Sequence, residues 1–369
     1  MPLPFTTLAQ SLPESVPFVG PETHERERGA PFKARIGANE SVFGASPHAI
    51  EAMCAAAAEA WKYCDAENYE LKQALALHHG VAPENIVIGE GIDGLLGLVV
   101  RLFVERGDAV ITSAGAYPTF NYHVAGFGGD LKMVPYKDDH EDPEGLLAAA
   151  GEHDAKLVYI ANPDNPMGTA HDAAVIQRMT ERTPENSVLC LDEAYLEFAE
   201  ADVAPALDTS VPNVIRFRTF SKAYGMAGAR IGYAIGSPDL IRAFDKVRNH
   251  FGVNKIAQAG ALAALQDQTF LKDVQGKVAA ARRRIGDIAA DNGLSVLPSQ
   301  TNFVAIDCGR DGDFARRVLA LLVERGIFVR MPGVAPLDRC IRVSAGTEKD
   351  LAAFAEELPK ALRDAAASG

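Results

Sequence analysis

At 369 residues, with 48% hydrophobic and 23% charged residues, the chain exceeds the size at which one core stops growing and can fill about two domains. A formal charge of −13 and an isoelectric point near 5.2 argue against nucleic acid or an anionic membrane as partner, since both need a basic face. The opening "MPLPFTTLAQSLPESVPFVGPE" lacks the basic and apolar regions of a signal peptide, and no apolar stretch reaches the ~18 residues of a membrane span. Five cysteines form no CxxC pair and, being odd in number, cannot all pair internally. That pattern points to reduced thiols in a cytoplasmic protein.

In chain order, residues 1–40 read as an N-terminal arm. "SPHAIEAMCAAAAEAWKYC" then opens a helix with Ser46 as N-cap and Pro47 at the first helical position. Short β-rich segments follow, among them "NIVIGEG", "DAVITSAGAYP", "LKMVPY", "KLVYIANP", "SVLCLDEAY", "NVIRFRTF" and "RIGYAIGS", alternating with helical ones such as "DGLLGLVVRLFVERGD", closed by Gly107. Several are continuous in apolar residues, the pattern of strands covered on both faces. The expectation is an α/β large domain over 41–250 with a mostly parallel sheet. Over 251–369 a smaller α/β domain is expected, with "SVLP", "NFVAIDC", "GIFVRM" and "CIRVSAG" as its sheet. Nine histidines give no metal-ligand spacing, and "DDHED" (138–142) reads as a solvated charged loop, so no metal site is assigned.

Ligands in open α/β sheets sit beyond the carboxyl ends of the strands. There the chain places Asn162, Asp164 and Asn165, then Asp192, Glu193 and Tyr195, then Thr219, Ser221 and Lys222. "GEGIDG" leads through glycines into a helix, offering free backbone N–H groups to an anion. A phosphate cradle, a carboxylate, phenol and amide partners and an amine nucleophile together suit a pyridoxal phosphate enzyme.

The motifs "ANESVFGASP" (38–47), "GEGIDGLLG" (89–97), "AYPTFNYH" (116–123), "NPDNPMGT" (162–169), "DEAYLEF" (192–198), "TFSKAYGMAGARIGY" (219–233), "NKIAQAGALAAL" (254–265), "PSQTNFV" (298–304) and "IRVSAGT" (341–347) carry a resemblance. With them the chain resembles the fold-type I, class I/II aminotransferases, most closely the histidinol-phosphate aminotransferase group. The resemblance implies a seven-stranded, mostly parallel sheet between helices, pyridoxal 5′-phosphate as cofactor, and transfer of an amino group between a small amino donor and a 2-oxo acid. It implies Lys222 as the Schiff-base lysine and proton-moving base, Asp192 on the pyridinium nitrogen, and Asn165 and Tyr195 on the phenolic oxygen. Phe120 takes the place of the stacking aromatic ring. Gly91, Ile92, Asp93, Thr219, Ser221 and Arg230 would receive the phosphate. Arg342 would grip the substrate carboxylate with Asn39 beside it, and Arg330 matches an arginine that contacts substrate phosphate. Tyr63 would reach the neighbouring active site of a homodimer.

The pattern departs at Ser41, Val42 and Phe43, where a tyrosine-bearing sequence is commoner, and at "KYCDAEN". An aromatic or other amino-acid aminotransferase and a related decarboxylase of a phosphorylated amino acid share nearly every motif. A cofactor-binding regulatory module is the reading from another class; it would carry an appended DNA-binding segment.

Overall fold

The computed structural model describes residues 3–14 and 18–367. In chain order its strands are β1 (Ala34–Arg35), β2 (Ile86–Gly89), β3 (Ala109–Ser113), β4 (Asp130–Val134), β5 (Leu157–Ala161), β6 (Val188–Asp192), β7 (Val214–Thr219), β8 (Gly232–Ile235), β9 (Ser295–Val296), β10 (Phe303–Asp307), β11 (Ile327–Phe328) and β12 (Cys340–Ser344). The seven strands β2 to β8 form one sheet in the order β2-β8-β7-β6-β5-β3-β4. Its pairs are parallel from β7 through β6, β5 and β3 to β4, while β8 runs antiparallel to both neighbours.

The apolar runs account for this burial. Along β5, Leu157, Tyr159 and Ala161 enter one core while Val158 and Ile160 enter another; along β6, Val188 and Cys190 separate from Leu189 and Leu191 in the same way. Period-two alternation thus divides two apolar faces rather than an apolar from a polar one. Each large aliphatic or aromatic side chain so buried contributes roughly 1.5–3 kcal/mol relative to exposure.

Because β5, β6 and β7 are parallel, Ala161, Asp192 and Thr219 end at the same edge. Antiparallel β8 brings the chain back from that edge, so residues 220–231 are a turn over it, carrying Lys222 and Arg230. The turn fits under the 44–45 backbone only because residue 225 is glycine: it has φ +68°, and a Cβ there would stand 2.0 Å from the Gly44 carbonyl oxygen.

Ser46 caps the helix Pro47–Ala57, its Oγ accepting from the His48 N–H at 3.1 Å. That helix is shorter than the sequence expectation. The helix after β2, Gly91–Phe103, ends at Val104 in extended backbone, and Gly107 lies in the following turn, its N–H on the Gly128 carbonyl.

A three-stranded antiparallel sheet, β12-β10-β9, forms near the C-terminus. It lacks "GIFVRM": β11 pairs instead, in parallel, with β1 from the N-terminal region. The reason is that Ile327 and Phe328 are both buried, and β1 supplies the ladder partner. Beyond β11, Arg330 and Arg342 form one antiparallel bridge, which ties this strand to β12. Among the described residues no helix is long and apolar enough to cross a membrane.

Candidate active site

A cavity of about 640 Å³ opens over the carboxyl edge of the large sheet. Asp192, the last residue of β6, is buried there with Oδ2 accepting from the Tyr159 hydroxyl at 2.7 Å and Oδ1 from the Ala194 N–H at 2.9 Å. Burial outweighs these hydrogen bonds and raises its pKa to about 6. A buried carboxylate with only neutral donors lacks a cationic partner, and it lines the cavity.

Lys222, beyond β7, reaches into the same space. Its Nζ donates to the Asn39 carbonyl at 3.3 Å and lies 5.6 Å from the centre of the Tyr195 ring. The Tyr195 hydroxyl accepts from Asn39 Nδ2 at 3.0 Å and Asn165 Nδ2 at 3.3 Å. Asn39 is held with φ +56°, its N–H on Ser344 Oγ and its carbonyl also accepting from Asn302 Nδ2. Lys222, Tyr195, Asn165 and Asn39 therefore converge, although they are far apart in sequence.

At the other end, Thr219 Oγ1 donates to Ser221 Oγ at 2.9 Å, and Arg230 Nη2 stands 3.8 Å from Asp93 Oδ2. The helix Gly91–Phe103 starts here, with Ile92 and Asp93 on the cavity wall. Gly91 has φ +77°, and a Cβ on it would lie 2.5 Å from Arg230 Nη2. Its lack of a side chain lets the guanidinium lie against the helix start, where hydroxyls, backbone N–H groups and a cation make an anion-receiving pole.

Arg342 Nη1 donates to Asn165 Oδ1 and Nη2 to the Gly37 carbonyl at 3.3 Å, with Phe303 5.1 Å below. Burial lowers its pKa, and its Nε has no hydrogen-bond partner. Arg330 Nη2 donates to the Val19 carbonyl at 2.7 Å, and its guanidinium faces the rings of Phe18 and Phe328. Both arginines and Phe18 line the cavity, so a residue from the N-terminal region contributes to its wall.

One residue expected at this chain's own cavity lies elsewhere. Phe120 is a correction: it is fully buried and stacked on Tyr159, with centroids 4.6 Å apart, beneath the cavity wall. The cavity is faced instead by Tyr117, whose hydroxyl donates to Asp93 Oδ1 at 2.9 Å. Burial, then the Asp93 charge, pushes that phenol well above its ordinary pKa, so it stays neutral. The sequence signal was Pro118: at the first helical position, it leaves Tyr117 as the residue that caps the helix over the strand ends. Tyr63 is 81% exposed, with its ring 4.7 Å from that of Phe251, outside this chain's own cavity. Phe43 packs against the core, with Lys277 facing its ring.

Tyr159 and Asn302 were not foreseen as site residues. Tyr159 was hidden in an apolar run, although its parity along β5 puts it on the Ala161 face. Asn302 was legible only as a polar residue ahead of β10.

The residues present fit pyridoxal 5′-phosphate. An amine, a buried carboxylate lacking a cation and an anion-receiving pole line one cavity, and Gly91 leaves that pole open.

Comparison with known proteins agrees. The sequence model of the family "Aminotransferase class I and II" matches residues 33–358. A histidinol-phosphate aminotransferase from Sinorhizobium meliloti, solved in complex with pyridoxal-5′-phosphate, is 56% identical, with TM-score 0.95 over 98% of each chain. Histidinol-phosphate aminotransferase 2 of Carboxydothermus hydrogenoformans is 33% identical over 357 residues, 96% of this chain and 98% of its own. The enzyme of that same name from Ralstonia nicotianae is 36% identical over 337 residues, 90% of each chain. The chain belongs to the class I and II aminotransferases, fold-type I enzymes that depend on pyridoxal phosphate, and within them it stands close to the histidinol-phosphate aminotransferases.

Proposed function

We propose that the chain transfers an amino group between histidinol phosphate, an amino-alcohol phosphate, and 2-oxoglutarate. The observation that carries this reading is the bridge that sets Arg330 and Arg342 side by side on the cavity wall. Their guanidiniums hydrogen-bond to neutral oxygens of Val19, Gly37 and Asn165 and make no ion pair among the described residues, so an anionic substrate can pair with them directly. Arg342, with a planar fork and an unpartnered Nε, suits a carboxylate; Arg330, nearer the arm, suits the second anionic group, a phosphate or a distal carboxylate.

When bound, pyridoxal phosphate supplies an aldehyde that condenses with amines and an electron-poor ring that stabilises negative charge at the substrate α-carbon. Asp192 would accept a hydrogen bond from the ring nitrogen and hold its proton. Asn165 and Tyr195 would contact the phenolic oxygen, and Tyr117 would cover a ring face. Thr219, Ser221, Arg230 and the backbone of 91–93 would hold the phosphate. Lys222 Nζ moves the proton at the substrate carbon, and the Asn39 carbonyl, 3.3 Å away, orients it.

We read residues 1–40 as the arm, 41–250 as the large domain and 251–369 as the small one. The active unit in this reading is a homodimer in the cytoplasm, with Tyr63 reaching the neighbouring site. Exposed Trp61, Tyr63 and Phe251 support the first point and five free cysteines the second.

The deciding assay offers purified, cofactor-loaded protein histidinol phosphate with 2-oxoglutarate, and glutamate with phenylpyruvate. Glutamate formation from the first pair is expected. Turnover of phenylpyruvate alone, or CO₂ release without an oxo product, would replace the reading.

A further inference from the structure

We propose that Asn302 is a positioning residue of this reaction: its side-chain amide fixes the Asn39 carbonyl and, through that carbonyl, the direction in which the Lys222 amine faces the cavity.

The Asn39 carbonyl oxygen accepts from Lys222 Nζ at 3.3 Å and from Asn302 Nδ2 at 3.1 Å. Asn302 Nδ2 also donates to the Glu40 carbonyl at 3.5 Å. Two carbonyl oxygens face that one nitrogen, so only the NH₂ end of the amide can point there. Asn302 is 1% exposed and Asn39 2%, which keeps water from replacing the donor. Oδ1 of Asn302 has no hydrogen-bond partner among the described residues. An orphaned buried acceptor costs stability, and a residue that only filled space would be better apolar. The amide is explained by what its nitrogen donates to.

Asn39 needs such holding. Its φ of +56° lies in the left-handed region, which residues bearing a side chain adopt at a cost. Its N–H is on Ser344 Oγ at 3.1 Å, its Oδ1 accepts from that hydroxyl at 2.9 Å, and its Nδ2 is on the Tyr195 hydroxyl. Those contacts fix the side chain and the N–H, and Asn302 fixes the carbonyl. Asn302 is itself anchored: the Ala345 N–H donates to its carbonyl at 2.7 Å, Arg282 Nη1 donates to the Thr301 carbonyl before it, and Phe303 after it pairs with Ser344 in the β10–β12 ladder. The C-terminal sheet thus holds the acceptor against which a lysine at the end of the large sheet is set.

In the step that Lys222 serves, the α-carbon C–H bond breaks, its electron pair passes toward the cofactor ring, and an N–H bond forms at Nζ. The amine takes that proton through its lone pair. Committing one N–H to a fixed carbonyl limits rotation about the Cε–Nζ bond, and with it the directions open to the lone pair.

The role of Lys222 rests on the transamination reading, so one measurement is made on cofactor-free protein. In a crystal structure of cofactor-free Asn302→Ala, the Asn39 carbonyl should turn beyond hydrogen-bond distance of Lys222 Nζ, while wild-type crystals grown alongside keep the contact. In the cofactor-loaded enzyme, the saturating single-turnover rate with glutamate should fall about tenfold. The half-saturating glutamate concentration and the cofactor affinity should change less than about twofold, since the lost contact acts in the transition state. With α-deuterated glutamate, the variant's isotope effect should equal or exceed that of wild type, because the slowed step is the proton transfer.

Asn302→Leu, which nearly keeps the volume and lacks the donor, should show the same defect; it carries the test should the alanine variant fail to fold. A carbonyl that stays in place in the variant crystal, a leucine variant with the wild-type rate, an isotope effect that shrinks, or a defect confined to half-saturation overturns the proposal. A carbonyl that turns away in a protein whose wild type does not transaminate would defeat the functional reading and leave the clamp standing.

Discussion

The cofactor end and the substrate end of the cavity are built differently. Asp192 and Thr219 are terminal residues of parallel strands, and Lys222 and Arg230 sit on the turn that links β7 to β8, so one sheet fixes them all. The substrate end is assembled from distant pieces: Asn39 from the loop after β1, Arg330 after β11, Arg342 in β12, and Phe18 from the arm. The rigid sheet therefore sets the chemistry. In the proposed function, contacts between separate segments, such as Arg330 to Val19 and Asn39 to Ser344, would set which anion is held.

The strongest way to break this contrast is Lys222→Ala. Removing the amine at the fixed end should lower kcat by roughly 10⁴-fold, the upper range for a positioned proton-transfer group, measured by single-turnover kinetics. At the substrate end, Arg342→Lys should lower kcat/KM about 100-fold by replacing a planar fork with a point charge. The cofactor's absorbance should stay unchanged, and a lost cofactor signal would show that the two ends are not separable.

A third test uses pH. Asp192 is a carboxylate above about 6 and neutral below it. Cofactor affinity should thus be full at neutral pH and fall about tenfold as pH drops below 6, through loss of a charge-assisted hydrogen bond, followed by fluorescence titration. The sign for folding is opposite. Because the folded pKa lies above the ordinary aspartate value, the cofactor-free fold binds this proton more tightly than the unfolded chain. Asp192 therefore lowers the stability of the cofactor-free protein as pH rises through the window up to about 6.

The smallest effect separates two aromatic rings. Tyr117→Leu should weaken cofactor binding about 3- to 10-fold, the value of one stacked ring. Phe120→Leu should cost about 1.5 kcal/mol of stability or less and leave cofactor affinity unchanged, measured by thermal unfolding alongside cofactor titration.

Much of the cofactor end was legible in the sequence because strand ends are local features. A continuous apolar run announces a buried strand, and the polar residue that closes it, as Asp192 closes "LCLD", must face the edge. Ring placement was harder to read. Phe120 and Tyr117 are three residues apart, and which of them faces the cavity depends on the turn at Pro118 and on Tyr159 from another strand. "GIFVRM" was read as a strand, but its partner β1 lies some 290 residues away, beyond any local signal.

By itself, the sequence determined the α/β class, the order of strands and helices, and the amine, carboxylate and anion-receiving groups at their ends. Hydrophobic period and turn chemistry act over a few residues, so these features can be read locally. Only the tertiary structure decided that Asn39 meets Tyr195 and Ser344, that Arg330 bridges to Arg342, and that Glu141 leaves its charged loop to accept from Ser113 Oγ and the Ala161 N–H. Those outcomes depend on which segments exclude water together, and burial is what pushes the Glu141 carboxyl well above the ordinary carboxylate range.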